Sequence, residues 1–91
     1  MADPITEFVV TAHAALEMRR RGIDDASLRR VLAAPEQREA VRPGRDVLQS
    51  RIELEGRDYL VRVFVDVDRN PAEVVTAYRT SKIAKYWRKG P

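Results

Sequence analysis

Residues 58–67 constrain this chain more than any other stretch. Tyr59, Val61, Val63, Val65 and Val67 fall on one side of an extended chain, and Leu60, Arg62 and Phe64 on the other. Apolar side chains on both sides describe a strand covered on both faces, and so a central one. Its neighbours supply partners. Residues 46–55 alternate, with Leu48, Ile52 and Leu54 on one face and Ser50 breaking that face mildly. Gly56-Arg57 marks a tight hairpin turn between the two runs. Past the turn residues 68–71, the apolar run 74–78 is predicted to pair with 58–67 as a second hairpin. Residues 36–42 read as a short strand before the Pro43-Gly44 turn.

Upstream the hydrophobic period changes to that of a helix. Thr11 is a plausible N-cap, and a first helix is predicted over 12–21, stopped by Gly22. Ala12, Ala15 and Leu16 share one side of it, with Ala14 and Met18 beside them. His13, Glu17, Arg20 and Arg21 share the other, and Arg19 must snorkel out of the apolar arc. A second helix begins with Asp24 as cap and Ile23 stapled against Leu28, continues through Val31 and Leu32, and ends at Pro35. Two short helices joined at Gly22 suggest an αα-hairpin. The run Phe8-Val9-Val10 could add a strand at a sheet edge. Residues 80–87 read as a short capped helix, with Ile83 and Trp87 four apart as anchors.

Segregated helices and strands indicate an α+β fold. The expected architecture is an N-terminal αα-hairpin packed on a three- to four-stranded antiparallel sheet, with a short basic C-terminal helix. One domain accommodates all 91 residues. It comprises a loose leader (1–7), the hairpin with its edge strand (8–35), the meander (36–79) and a basic aromatic segment (80–89).

Charge is unevenly spread. Residues 79–91 carry five Lys or Arg and no acid, whereas residues 46–78 carry four against seven Asp or Glu. A basic end of this kind attracts phosphates or an acidic protein, or else is a solvated tail. No apolar run approaches a membrane span, the N-terminus lacks a secretory signal and there is no Cys, so a cytoplasmic protein is expected. One His and no Cys do not make the usual nitrogen and sulfur set for a metal, and no cofactor is expected.

Several residues carry candidate chemistry. His13 is the sole imidazole, a general acid or base, or else a surface residue near a helix start. Arg62 is a charge inside the most apolar strand and needs a carboxylate or an anionic ligand. Arg79, Thr80, Ser81 and Lys82 offer cations and hydroxyls at the end of a strand, for an anion or for simple capping. Tyr78, Tyr86 and Trp87 could stack on bases or anchor the segment to the core, and Lys85 and Arg88 would hold a nucleic-acid backbone.

Four stretches together resemble a known family. Thr11-Ala-His-Ala, Met18-Arg-Arg-Arg-Gly-Ile23, Val31-Leu-Ala-Ala-Pro35 and Val74-Val-Thr-Ala-Tyr78 are similar to the domain-of-unknown-function family 4258. That family resembles the RelE/ParE-like and BrnT toxins in element order, and so implies a RelE-like fold. By position His13, Arg21 and Thr76 match its polar motif, and Arg79, Thr80 and Lys82 match its basic end loosely. Where its opening has Arg before Met, this chain has Glu17, a departure that argues for altered activity if the position binds an anion. The resemblance implies a toxin-type module that binds RNA and cleaves it without a metal. His13 would deprotonate a 2′-hydroxyl, Arg62 and Arg79 would stabilise the charge, and an antitoxin-type protein would be the partner. The alternatives are a non-catalytic module that binds protein or nucleic acid, and a gyrase-directed toxin. The sequence leaves the oligomeric state open.

Overall fold

The computed structural model describes residues 2–89. Its elements run β1 (Phe8–Val10), α1 (Ala12–Arg20), α2 (Asp25–Ala33), β2 (Gln37–Arg42), β3 (Arg45–Leu54), β4 (Arg57–Asp66), β5 (Ala72–Thr80) and α3 (Ile83–Tyr86). The strands form one sheet in the order β1-β5-β4-β3-β2. β2 to β5 pair antiparallel in sequence, and β1 pairs parallel with β5, Val10 lying opposite Val74.

This overturns the expected architecture. The sheet is mixed and five-stranded, and the helices are not an N-terminal hairpin stacked on an antiparallel sheet. A strand precedes them. The chain leaves β1 at one edge, crosses one face through α1 and α2, and re-enters at the opposite edge as β2. α1 lies against β5, whereas α2 lies against β3 and β4, so each helix packs on the sheet separately. Three residues of β1 carry too little local pattern to announce a parallel partner more than sixty residues away.

Both helices start as their caps dictate. The Thr11 hydroxyl accepts from the Ala14 N–H at 3.1 Å, and the Asp24 carboxylate accepts from the Ser27 N–H at 2.7 Å. The apolar face of α1 differs from the expected one. Ala14 and Met18 are buried, while Leu16 is 40% exposed and Ala12 and Ala15 face solvent. The stripe Ala14–Met18 continues to Arg21, whose Nη1 donates to the Ala77 carbonyl at 2.9 Å. A small residue and an arginine anchor therefore orient the helix, rather than the centre of its apolar arc.

The helix-side core joins Ala14, Met18, Leu28, Val31 and Leu32 to Leu48, Ile52, Val61, Val63, Val65, Val74 and Ala77. Ser50, the break in the pattern of β3, is buried, and its hydroxyl accepts from the Glu36 N–H at 3.0 Å. The opposite face of the sheet is crossed by the chain after β5. α3 is one turn long, shorter than expected, with no buried residue. Among the described residues no helix is long and apolar enough to cross a membrane.

Candidate functional site

Direct cross-strand partners share a face of the sheet. Gln37 lies opposite Gln49, Gln49 opposite Arg62, and Arg62 opposite Tyr78. These four residues make one row across β2, β3, β4 and β5 on the face away from α1 and α2. The row is hydrogen-bonded end to end. Gln49 Nε2 donates to Gln37 Oε1 at 2.7 Å, Arg62 Nε to Gln49 Oε1 at 2.8 Å, and Arg62 Nη1 to the Tyr78 hydroxyl at 2.5 Å. Gln49 is 1% exposed, so the centre of the row is buried.

Aromatic rings surround Arg62. Its guanidinium carbon lies 4.6 Å from the ring centroid of Tyr86, 5.5 Å from Phe64 and 5.6 Å from Tyr78. The rings also meet one another: Phe64 and Tyr78 stack at 6.0 Å, and Tyr78 meets Tyr86 edge-on at 6.1 Å. Among the described residues no carboxylate lies within ion-pair distance of Arg62. The salt bridge that would have explained a charged residue in this strand is replaced by neutral donors, acceptors and π faces.

The segment after β5 lies across this row. Gln49 Nε2 also donates to the Tyr86 carbonyl at 3.1 Å. The Gln37 side chain donates to the Arg88 carbonyl at 2.6 Å and accepts from the Arg88 N–H at 3.0 Å. Arg88 pairs with Glu39, and the Arg51 guanidinium rests 4.1 Å from the Trp87 ring. Arg51 is in turn held by Glu36 at 2.8 Å, and its guanidinium keeps the Glu36 carboxyl below the usual carboxylate range. Lys85 Nζ sits 5.3 Å from the Tyr86 ring. Thr80 Oγ1 accepts from the Lys82 N–H at 3.1 Å, and Lys82 itself is exposed.

The remaining candidates lie elsewhere. Arg79 is opposite Val61 and therefore projects from the helix side, where its guanidinium covers the Tyr59 ring at 4.6 Å and approaches Glu55 at 3.6 Å. His13 is exposed on the first turn of α1. Arg79 packs against Gly22 at the other end of that helix, about 13 Å along the axis from His13. Arg62 and Arg79 are thus on opposite faces of the sheet, and His13, Arg62 and Arg79 do not share one site. Thr76 is on the Arg62 face, opposite Phe64. Glu17 pairs with Arg20 at 3.4 Å and Arg21 at 2.9 Å and so steadies the Arg21 anchor. Among the described residues no three His, Asp or Glu side chains cluster as metal ligands would.

A family model described as a domain of unknown function, DUF4258, matches residues 10–79. The chain belongs to that family. No curated protein and no solved structure matches it. In this DUF4258 chain the whole row from Gln37 to Tyr78 lies inside the matched span, and the segment that crosses it lies outside. Gln37 and Gln49 are the site residues that sequence reasoning missed. A glutamine on the polar phase of a strand reads as solvent-facing, and only the segment folded over it makes it buried.

Proposed function

We propose that the protein binds single-stranded RNA on the sheet face that carries Arg62. The observation behind this reading is an arginine that is half-buried, fixed by neutral partners and free of any carboxylate among the described residues. A partly desolvated guanidinium gains most from a phosphate, which it meets with a planar fork of donors. The rings of Phe64 and Tyr78 beside it suit unpaired bases, which stack without sequence preference. Lys85, Lys82 and Arg88 add positive charge along the same segment. In a toxin-type setting a cognate protein would cover the same basic face. The proposal is binding rather than cleavage, because the imidazole that would act as base is on α1 and not beside Arg62.

Fluorescence anisotropy with a labelled single-stranded oligoribonucleotide tests it. Arg62→Gln is expected to weaken binding at least about tenfold and to make the salt dependence shallower by about 0.7 in log–log slope, one phosphate contact. Wild-type protein that fails to bind at about 50 mM salt, or Arg62→Gln protein that binds as tightly, overturns the reading. The RNA is expected to stay intact. Fragments that disappear with His13→Ala would replace binding by cleavage.

A further inference from the structure

The segment over the row is held in an unusual way. Its backbone is fastened by side-chain amides, with the Tyr86 carbonyl on Gln49 and both the N–H and the carbonyl of Arg88 on Gln37. Its apolar residues are seated shallowly: α3 buries none, Tyr86 is half-buried on Arg62, and Trp87 is half-buried on Arg51, a side chain 53% exposed. Water replaces such hydrogen bonds at small net cost, and an exposed pair such as Arg88–Glu39 adds little. Beneath the segment lies a polar row that spans four strands, about 14 Å at ordinary strand spacing.

The segment also satisfies the row as a nucleotide would. The Gln37 amide offers one donor and one acceptor to the C=O and N–H of Arg88, the same donor–acceptor pair that it offers to the edge of a base. Tyr86 lies on the Arg62 guanidinium as a base stacks on an arginine.

We infer that residues 86–88 are a displaceable cover, and that single-stranded RNA takes their place on the row Gln37–Gln49–Arg62–Tyr78. This rests on the RNA-binding reading above and names its contact surface. In the closed chain the base-reading amides are occupied, so the apparent affinity is lowered by the fraction of molecules that are open. Loosening the cover therefore strengthens binding, even though the cover belongs to the basic segment.

Trp87→Ala separates this from a simple basic patch because it removes an anchor without changing charge. Anisotropy is expected to show single-stranded RNA binding at least about threefold tighter than wild type, with Trp87→Phe close to wild type. Equal or weaker binding by Trp87→Ala overturns the inference, since weaker binding would make Trp87 a contact for RNA. Amide hydrogen exchange on the free wild-type chain gives a second readout. The Arg88 N–H is expected to exchange by local opening, well ahead of Val63 in β4 and with little response to mild urea. Exchange of Arg88 in step with Val63 makes the segment a fixed part of the body and also overturns the inference. If neither chain binds RNA, the RNA reading fails together with the ligand named here, while the Arg88 exchange still decides whether the cover opens.

Discussion

At Gly22 the backbone adopts φ +67°, just past the end of α1. The Ile23 N–H reaches the Met18 carbonyl at 2.9 Å and the Gly22 N–H reaches Arg19 at 3.4 Å, so the helix ends in a Schellman motif, with Ile23 and Met18 in the core. A Cβ at Gly22 would lie 3.1 Å from Arg79 Nη2. The residue is thus needed twice, for its left-handed backbone and for the arginine packed on it. Gly22→Ala is expected to destabilise the fold by about 1–2 kcal/mol, read as a lower urea midpoint at unchanged slope. Arg79 Nη1 is buried without a hydrogen-bond partner, and the surrounding contacts are Tyr59, Gly22 and the exposed Glu55. Its packing accounts for the place of Arg79 in the fold. Arg62, the other arginine singled out on β4 and β5, has every hydrogen-bonding neighbour neutral.

Among the elements, the β3–β4 hairpin shows how far a turn follows from its residues. The expected turn was Gly56-Arg57, and the observed two-residue turn is Glu55-Gly56, with φ of +55° and +78°. Positive φ at both central positions is the type I′ geometry that matches strand twist and favours Asn-Gly. Glu55 fills the first position against its own preference. Glu55→Asn is expected to raise stability by about 0.5–1 kcal/mol, measured by urea unfolding, despite losing the 3.6 Å approach to Arg79. α1 illustrates the opposite case. Its length and cap follow from Thr11 and Gly22, but the face it buries is set by the Arg21–Ala77 bond and by how closely Ala14 allows the helix to approach β5. Hydrophobic periodicity places the arc and cannot see either of those.

Over the whole molecule, ion pairs tie β3 to the segments on either side of it in the chain. Arg45 grips Asp66 with two bonds, at 2.6 and 3.2 Å, and its hydrogen bonds hold the Asp66 carboxyl below its ordinary value; Arg51 does the same to Glu36. A carboxyl lowered in the folded state stabilises the fold above its ordinary pKa, and that contribution is lost as pH falls through the folded value. Stability is therefore expected to be level near neutrality and to decline below the ordinary values of 3.8 and 4.5. Urea midpoints taken across that range check it, and Asp66→Asn should flatten the decline. The central strand, the three consecutive hairpin partners, both helix caps and the basic aromatic end were all legible in the chain. Each is written in a local period, a turn or a cap. The parallel edge strand, the separate seating of the two helices and the sides taken by Arg62 and Arg79 were not. Each depends on where a distant segment comes to rest. Alternation alone puts Arg62 and Arg79 in opposite phases once the register of β4 with β5 is known, and the bulge between Phe64 and Val65 leaves that register unpredictable. By itself the sequence determined the β4-centred meander and the cations that end the chain. Only the tertiary structure decided that those cations ride on a segment laid over Gln37, Gln49, Arg62 and Tyr78. Cross-strand neighbours are chosen by long-range pairing, and no local pattern carries that information.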